Sequence, residues 1–337
     1  MKRFILRRLV LVPFILFGMT VLTFSVSRFV PTDPVVAFLG ARGSGNQAAY
    51  DNYRQKYGLD KSIPEQYLRY IGALLQGDFG ESTSSHRPVT DELLQFFPAT
   101  LELTIVALLI ALLLGIPLGI FAAATRGSPP EQVVKGFTML GISSPTFVVA
   151  LIGLQVFYLA LGWAAGSGKL DLLITTPPKV TGMVSVDSLL AGRLDAFVSV
   201  LHHMALPAGV LGVLGAAYFS RVVRSTMIEA LDGEFIRTAR GKGLASRIIL
   251  FRHAFRYALI PTVSLAGLYF GDLFAGAITV ETITGWPGVG RYMYNAAVKL
   301  DFPAVMGGTL VIGLAYIVTN LVVDLLYARI DPRVRLA

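Results

Sequence analysis

Six long apolar stretches, separated by polar segments, dominate the pattern of hydrophobic and polar positions along the chain. Each is longer than an ordinary core helix, and the apolar residues run on without the alternation of a half-buried strand. The stretches are Leu9–Phe29, Pro98–Ala124, Val133–Trp163, Ser199–Phe219, Ala258–Val280 and Ala304–Ala328.

Segments of this length predict membrane spans, because about twenty apolar residues in a helix cross a hydrocarbon layer of about 30 Å. A β-barrel would show alternating rather than continuous apolar runs. Helices satisfy their own backbone groups where no water is present. Composition agrees, since 54% of residues are hydrophobic and 15% charged, against about 25% charged in soluble domains. We predict an all-α polytopic membrane protein with six transmembrane helices.

The distribution of Lys and Arg predicts the orientation of these spans, since basic residues accumulate on the cytoplasmic side. Basic residues precede the first span, fill the segment between spans four and five, and recur in the tail. They all fall on one side if both termini are cytoplasmic. The net charge of +8 is therefore read as a topogenic signal, not as nucleic-acid binding. The residues concerned are Lys2, Arg3, Arg7, Arg8, Arg221, Arg224, Arg237, Arg240, Lys242, Arg247, Arg252, Arg256, Arg329, Arg333 and Arg335.

The first span could also be a signal peptide, because Ser25-Val26-Ser27 offers a small-x-small cleavage site. Its apolar run exceeds the usual 7–15 residues of a signal peptide, so retention as a span is favoured. The chain then divides into an N-terminal helix (1–29), an external segment (30–97) and a core (98–337) that contains a cytoplasmic loop (221–257).

The external segment predicts a short amphipathic helix. Ser62 and Glu65 have the spacing of a capping box, Pro64 is allowed in a first turn, and Gly77 stands where a C-terminal cap is expected. This helix serves either as a structural lid or as a contact for an external partner. The second external stretch, Ala164–Val198, is predicted to be irregular.

Two readings of the cytoplasmic segment stay open. Residues 234–240 contain no Gly or Pro and predict about two helical turns, which Gly241 and Gly243 end. Phe235, Ile236 and Ala239 would share an exposed apolar face suited to a groove on a partner protein. Alternatively, this is a basic loop that only fixes topology.

Residues for catalysis, metal binding or ATP hydrolysis are not evident. The chain has no cysteine, and no G-x-x-x-x-G-K-[ST] phosphate-binding motif is present. The four histidines, His86, His202, His203 and His253, do not form a ligand cluster. We therefore expect no catalytic residue, no metal and no cofactor in this chain.

Polar residues inside the spans remain as candidates, because they are costly in lipid. Asp272 lies among small residues that let helices approach closely, so we expect it to face protein or a water-filled path. Asn320 and Asp324 lie one turn apart in the sixth span, and Glu102 lies near one end of the second. We predict packing or cavity lining, not proton coupling, with Asp272 and Asn320 as possible lining residues.

Several motifs of this sequence resemble those of the dipeptide/oligopeptide ABC transporter permease family. They occur in the same order as in that family and extend over almost the whole chain. Arg237–Leu244 resembles that family's version of the EAA loop, with Arg237-Thr238-Ala239 in place of Glu-Ala-Ala. The other matching stretches are Gly58-Leu59-Asp60, Pro64 with Gln66-Tyr67-Leu68, Gly77–Ser82, Pro98–Leu103, Leu259-Ile260-Pro261, Glu281-Thr282, Trp286–Arg291 and Asp331-Pro332-Arg333.

The resemblance implies a type I ABC importer permease fold in a bacterial cytoplasmic (inner) membrane. It implies as partners a second homologous permease, two cytoplasmic ATPases that bind ATP and Mg, and an extracytoplasmic substrate-binding protein. It also implies a coupling helix that docks on an ATPase. Its residues would be Glu234, Phe235, Ile236, Arg237, Thr238, Ala239, Arg240, Gly241, Lys242, Gly243 and Leu244.

The solute stays open within the family. Di- or oligopeptides are expected, while glutathione, nickel complexes, opines and oligosaccharides are the alternatives. Two other classes are also kept, an independent secondary transporter and a membrane-embedded enzyme. The first would transport without ATPases, and the second would need clustered catalytic groups.

Overall fold

A computed structural model describes residues 2–29, 35–36, 47–56 and 58–330, and these are mostly helical. The helices are α1 (Lys2–Phe29), α2 (Gln47–Lys56), α3 (Ile63–Leu74), α4 (Val89–Ala124), α5 (Pro129–Ser143), α6 (Thr146–Gly153), α7 (Val184–Leu190), α8 (Leu194–Leu231), α9 (Glu234–Gly241), α10 (Ser246–Ile248), α11 (Phe255–Thr284), α12 (Val289–Val298) and α13 (Phe302–Ile330). Two π-helical segments accompany them: Leu154–Ala160 continues α6, and Ile249–Ala254 joins α10 to α11.

Within the residues that the structure describes, five helical segments are long and apolar enough to cross a membrane, and a bent pair supplies a sixth if it counts as one span. The all-α polytopic fold class is therefore confirmed. The single segments lie in α1, α4, α8, the run Ser246–Thr284, and α13. The bent pair is α5 with α6 and its π-helical extension, and its two axes differ by 107°.

The prediction of one continuous helix over Val133–Trp163 is wrong. Ser144 and Pro145 interrupt it in extended conformations, with ψ of 125° and 135°. Proline lacks an N–H and disfavours helical geometry in the residue before it. The helix therefore ends at Ser143, and the chain starts a new helix in another direction at Thr146.

Two spans extend well beyond their predicted ends. Helix α4 begins at Val89 rather than Pro98, and α8 continues to Leu231 rather than ending at Phe219. At 1.5 Å per residue, the 38 residues of α8 extend for about 57 Å, which exceeds the thickness of the hydrocarbon core. The first part of the predicted loop 221–257 is therefore helix, and α7 likewise lies within the stretch predicted as irregular.

Helices α4 and α8 form the central pair, and glycines set their separation. A Cβ at Gly115 would lie 2.7 Å from the Cβ of Phe219, and one at Gly212 would lie 2.5 Å from Ile110. Neither site has room for a side chain. In a membrane the hydrophobic effect does not drive helices together, so their association depends on close packing. Small residues bring the two backbones near enough for that packing.

Helices α11 and α13 also approach through glycines. A Cβ at Gly267 would overlap Val323, and one at Gly271 would lie 2.6 Å from the ring of Tyr316. This is the close approach predicted for the small residues around Asp272. It directs one face of α11 toward α13 and leaves another face available.

Buried carboxylates join α4 to α11 and to the connecting segments. Glu281 accepts hydrogen bonds from the Thr100 hydroxyl at 2.7 Å and the Arg291 amide at 3.1 Å. Glu102 accepts the amides of two residues at the start of α7, at 3.2 Å and 2.6 Å. Burial lowers the pKa of Lys169, and the nearby carboxylates of Glu102 and Glu281 oppose that shift. The hydrogen bonds to Glu281 and Glu102 give partners to amides and a hydroxyl that would otherwise be buried without one.

A further buried carboxylate, Asp301, holds the segment before α4 against the turn between α12 and α13. Its Oδ2 accepts the hydroxyl of Ser82 at 2.5 Å and the hydroxyl and amide of Ser84 at 2.8 Å and 3.1 Å. Asp301 is fully buried. Three donors therefore depend on one side chain.

Replacing Asp301 by Ala should loosen this attachment, because it removes the acceptor shared by Ser82 and Ser84. Losing the partner of a buried donor costs about 1–3 kcal/mol. We expect faster hydrogen–deuterium exchange at residues 82–85 and a lower Tm in detergent. Asp91→Ala, at an exposed acid in the first turn of α4, is the control. Unchanged exchange at residues 82–85 in Asp301→Ala would contradict the anchoring role.

Candidate functional site

A groove of about 290 Å³ lies where the third span breaks. Three parts of the chain form it: the junction between α5 and α6, the middle of α8, and the face of α11 that does not contact α13. Its lining residues are Gly141, Ile142, Ser144, Thr146, Leu211, Leu214, Tyr218, Tyr269, Asp272, Leu273 and Gly276.

The break supplies polar groups to the groove. The Ser144 hydroxyl donates to the Leu140 carbonyl at 2.7 Å, and the amides of Val148 and Val149 both bond to the Pro145 carbonyl. The remaining carbonyls and amides at the two facing helix ends have no intrahelical partner. Irregular backbone at membrane depth is tolerated only where it is buried in protein or lines water. The groove therefore faces one of these and not lipid.

Asp272 is the ionisable residue of the groove. Its side chain is exposed, and it has no hydrogen bond or ion pair with any residue that the structure describes. Asp272 lies about 18 Å along α11 from the helix end at Thr284, well inside the candidate span Ser246–Thr284. An acid at the centre of a span costs about 2.5–3.5 kcal/mol on insertion scales when it faces lipid. Its surface must be covered by water or by another protein.

Two tyrosines form an aromatic wall beside Asp272. The rings of Tyr218 and Tyr269 lie 6.2 Å apart, and the Tyr269 hydroxyl donates to the Leu211 carbonyl at 3.0 Å. That hydrogen bond fixes the ring of Tyr269 on α8, whereas Tyr218 is 40% exposed. A carboxylate next to aromatic faces attracts cationic groups and repels anions.

Asn320, the other predicted lining residue, does not line this groove. It follows Tyr316 by four residues and precedes Val323 by three, so it shares the face of α13 that packs on α11. Its Oδ1 is buried without a hydrogen-bond partner among the described residues. The structure therefore separates Asn320 from Asp272.

The short cytoplasmic helix predicted at residues 234–244 is present as α9, but its predicted exposed apolar face is wrong. Ile236 is 0% exposed and Ala239 is 7% exposed, and both pack against Ile249 and Leu231. Burying these side chains within the chain removes apolar surface from water without any partner. Phe235 alone of the predicted apolar set stays exposed, at 46%, with its ring 6.2 Å from that of Tyr257.

The outward face of α9 is mainly polar and basic. Arg237 pairs with Glu234 at 2.8 Å, and both are well exposed. Gly243, with a φ of +72°, ends the helix in a left-handed turn. The exposed residues of this face and its cap are Glu234, Phe235, Arg237, Thr238, Arg240, Gly241, Lys242, Gly243 and Leu244.

Sequence reasoning identified Asp272 but missed its neighbours in the groove. Ser144 and Thr146 flank Pro145, and this proline after two serines in an apolar run was a readable sign of a break. Tyr218 and Tyr269 carried no such sign, because an aromatic residue in a span is more often part of the packing. Only the helix arrangement brings them to Asp272.

Comparisons with known proteins cover nearly the entire chain. Residues 115–336 match the family described as binding-protein-dependent transport system inner membrane component, and residues 1–104 match the N-terminal region of such membrane components. The chain is 42% identical over 335 residues, 99% of each chain, to the di/tripeptide transport system permease protein DppB of Pseudomonas aeruginosa (strain UCBPP-PA14).

Two further similarities extend this comparison. The chain is 43% identical to the probable D,D-dipeptide transport system permease protein DdpB of Escherichia coli (strain K12), over 94% of this chain and 93% of the relative. Among solved structures, an inward-facing form of the MetNI methionine ABC transporter superposes with a TM-score of 0.49 at 15% identity. That superposition covers 69% of this chain and 93% of the solved chain.

Water in the groove is testable by thiol labelling, because the chain has no native cysteine. Ser144→Cys in the assembled protein should react with water-soluble methanethiosulfonates, and faster with a cationic than with an anionic reagent. Adding Asp272→Asn should reduce that preference by about fivefold, corresponding to about 1 kcal/mol for one charge at close range.

Leu113→Cys, on the exposed apolar surface of α4, is the control for lipid exposure. It should resist both charged reagents, because these do not enter hydrocarbon and a thiol in apolar surroundings is hardly ionised. If Ser144→Cys behaves like Leu113→Cys, the groove faces lipid and this interpretation fails.

Proposed function

We propose that this chain, which belongs to the family of binding-protein-dependent transport system inner membrane components and is a permease subunit of an ABC importer, carries di- or oligopeptides across a bacterial inner membrane. Family membership rests on the family match over residues 115–336 and on relatives at about 40% identity over nearly the whole length. The fold agrees, with five single spans and a bent pair. The chain is a transport subunit and not an enzyme.

The peptide assignment is supported by the relatives. The similar permeases are named for di/tripeptides, D,D-dipeptides and dipeptides, and the chain matches each of them over 94–99% of its length. The proposed complex contains a second permease, two cytoplasmic ATPases that bind ATP and Mg, and an external binding protein that delivers the peptide.

The observation that carries the pathway assignment is the exposed carboxylate of Asp272 in the groove at the helix break. Because this acid lies deep in a span and has no partner within the described chain, it requires water or a second protein. A path between two permeases supplies both. We therefore place Asp272, Ser144 and Thr146 on the surface that the peptide passes.

Helix α9 is suited to transmit movement from the ATPases to this groove. Short connections join it to α8 on one side and to α10 and the π-helical segment before α11 on the other. Its buried residues Ile236 and Ala239 pack against Leu231, the last residue of α8, and Ile249, in that π-helical segment. Movement of α9 would therefore shift α8 and α11 together, and these two helices form two of the three walls of the groove. The outward basic face remains available to an ATPase.

The experiment that tests the proposal is uptake by a reconstituted complex. The tagged chain is extracted gently from its native membrane, and co-purifying proteins and ligand are identified by mass spectrometry. Proteoliposomes containing the complex should then take up the identified peptide only with ATP inside and binding protein outside. Uptake without ATPases would instead support an independent transporter. A co-purified nickel complex, opine, glutathione or oligosaccharide would replace the peptide assignment and keep the permease.

Reversing two charges on α9 should uncouple the importer. Arg237→Glu with Arg240→Glu changes the outward face, while the buried residues that hold α9 to the chain stay in place. We expect normal membrane insertion and complex purification, with ATP-driven uptake reduced at least tenfold.

A matched double variant, Arg247→Glu with Arg252→Glu, alters two exposed arginines of the same cytoplasmic region outside α9 and should retain most uptake. Equal losses in the two double variants would show that the effect reflects basic charge in general. Normal uptake in the α9 variant would falsify the coupling assignment.

Neutralising Asp272 should change which peptides pass. Asp272→Asn preserves size but removes the negative charge, so uptake of a lysine-containing dipeptide should fall relative to a glutamate-containing one. A change of about fivefold in that ratio corresponds to about 1 kcal/mol. The measurement is competitive uptake of the two labelled dipeptides, with binding to the isolated binding protein as normalisation. A ratio unaffected by the variant would remove Asp272 from the pathway surface.

A further inference from the structure

A second crevice, of about 430 Å³, lies away from the groove, at the end of α1. It is enclosed by α1, α3, the start of α13 and the turn that follows α3. Its apolar wall comes from Phe24, Leu59, Phe79, Phe302 and Met306, and its polar lining includes Arg28, Gln66, Arg69, Tyr70, Asp78 and Glu81.

The crevice exists because α3 lies across α1 while α1 packs on α13. The hydroxyls of Thr20 and Tyr67 are 2.9 Å apart, and the ring of Phe24 contacts Tyr67 edge-on with centroids 5.3 Å apart. On the other side, Met19 fills the space above Gly313. Contacts on both sides hold α1 in place and leave a gap at its end, where the span meets the interface.

The surface around the crevice faces lipid on the α1 side. Phe14, Leu22 and Phe29 are 69%, 63% and 84% exposed. Exposed apolar surface of this extent on a span is suited to contact with hydrocarbon. Leu68 of α3 and Leu75, the residue that follows α3, are 70% and 84% exposed, as expected of an amphipathic helix lying at the interface. The crevice therefore opens where lipid headgroups lie.

Three buried polar atoms of the crevice have no hydrogen-bond partner among the described residues. They are Nε of Arg28, Oε1 of Gln66 and the hydroxyl of Tyr70, whereas Nε2 of Gln66 donates to the carbonyl of Lys61 at 2.8 Å. The guanidinium of Arg28 also lies over the ring of Phe24, 5.1 Å from its centroid. Buried polar groups in native proteins are nearly always satisfied. An orphaned guanidinium nitrogen points to an absent acceptor.

The charges of the crevice have both signs. Arg28 and Arg69 supply guanidinium groups. Arg69 forms an ion pair with Glu65, with 3.3 Å between Nη2 and Oε1. Asp78 and Glu81 supply carboxylates, and one oxygen of Asp78 accepts the amide of Gly80 at 2.8 Å. A ligand that fits needs a negative group for the arginines, a positive group for the acids, and apolar chains for the aromatic wall.

We propose that this crevice binds the headgroup of one amine-bearing phospholipid, of the phosphatidylethanolamine type. The phosphate oxygens accept from Arg28, the primary ammonium lies toward Asp78, and the acyl chains follow the wall of Phe24, Phe302 and Met306 toward hydrocarbon. Charge-assisted hydrogen bonds from guanidinium to phosphate are among the strong ones. The bound lipid would fix the external helix α3 on α1.

The test is native mass spectrometry of the assembled importer taken from nanodiscs. The probes are bilayers of phosphatidylethanolamine with phosphatidylglycerol, and of phosphatidylcholine with phosphatidylglycerol in the same proportion. We expect preferential retention of phosphatidylethanolamine. Arg28→Gln should reduce that retention at least fivefold, while Arg87→Gln, at an exposed residue outside the crevice, should leave it unchanged.

A second variant separates binding from folding. Asp78→Asn keeps an acceptor for the Gly80 amide but removes the charge toward the amine. Phosphatidylcholine or phosphatidylglycerol should then be retained as well as phosphatidylethanolamine, in a complex that still assembles. Lipid loss on addition of inorganic phosphate would reassign the site to free phosphate. Equal retention in Arg28→Gln and the unmodified complex, or retention of no lipid, would overturn the proposal whether or not peptide transport is confirmed.

Discussion

The requirement that every polar group inside a bilayer meets protein or water governs this structure. It explains why the chain is built from helices. The backbone break at Pro145 and the charge of Asp272 depart most clearly from this requirement, and they share one groove. Each would be costly against lipid. Their coincidence, together with the polar lining from Ser144 and Thr146, makes this groove the surface that water, a second permease and the transported solute are expected to meet.

The same groove is mechanically connected to the cytoplasmic side. Helices α8 and α11 carry most of its walls, and α9 is packed between their cytoplasmic ends through Ile236 and Ala239. The burial of those two residues changes the physical picture of coupling. Under the proposed coupling, an ATPase would contact the basic outer face and Phe235, and the apolar inner face would transmit displacement into the chain. At the opposite end, Glu102, Glu281 and Asp301 hold the connecting segments, so a movement of α8 and α11 would act against these attachments.

The sequence predicted most of the fold and part of the site. Long apolar runs predict spans because hydrocarbon thickness sets their length, and five of the six are present as single segments. A hydrophobic pattern marks the part of a helix inside the membrane but not the part that continues into water. The helix ends at Val89 and Leu231 were therefore not predicted. The burial of Ile236 depends on Ile249, thirteen positions away across a turn, and no local pattern encodes that contact. Asp272 was found because a charge in a span stands out, whereas Tyr218 and Tyr269 needed the helix packing.

Blocking the groove tests most directly whether the peptide passes along it. In proteoliposomes holding the complete importer with Thr146→Cys as the single cysteine of this chain and none in the partner subunits, a bulky water-soluble thiol reagent is applied, and ATP-driven peptide uptake is followed alongside ATP hydrolysis. Modification should stop uptake while the ATPases still hydrolyse ATP, because the reagent blocks the groove that the peptide passes. Complete modification with uptake unchanged would show that the peptide takes another route and that the groove is not the pathway.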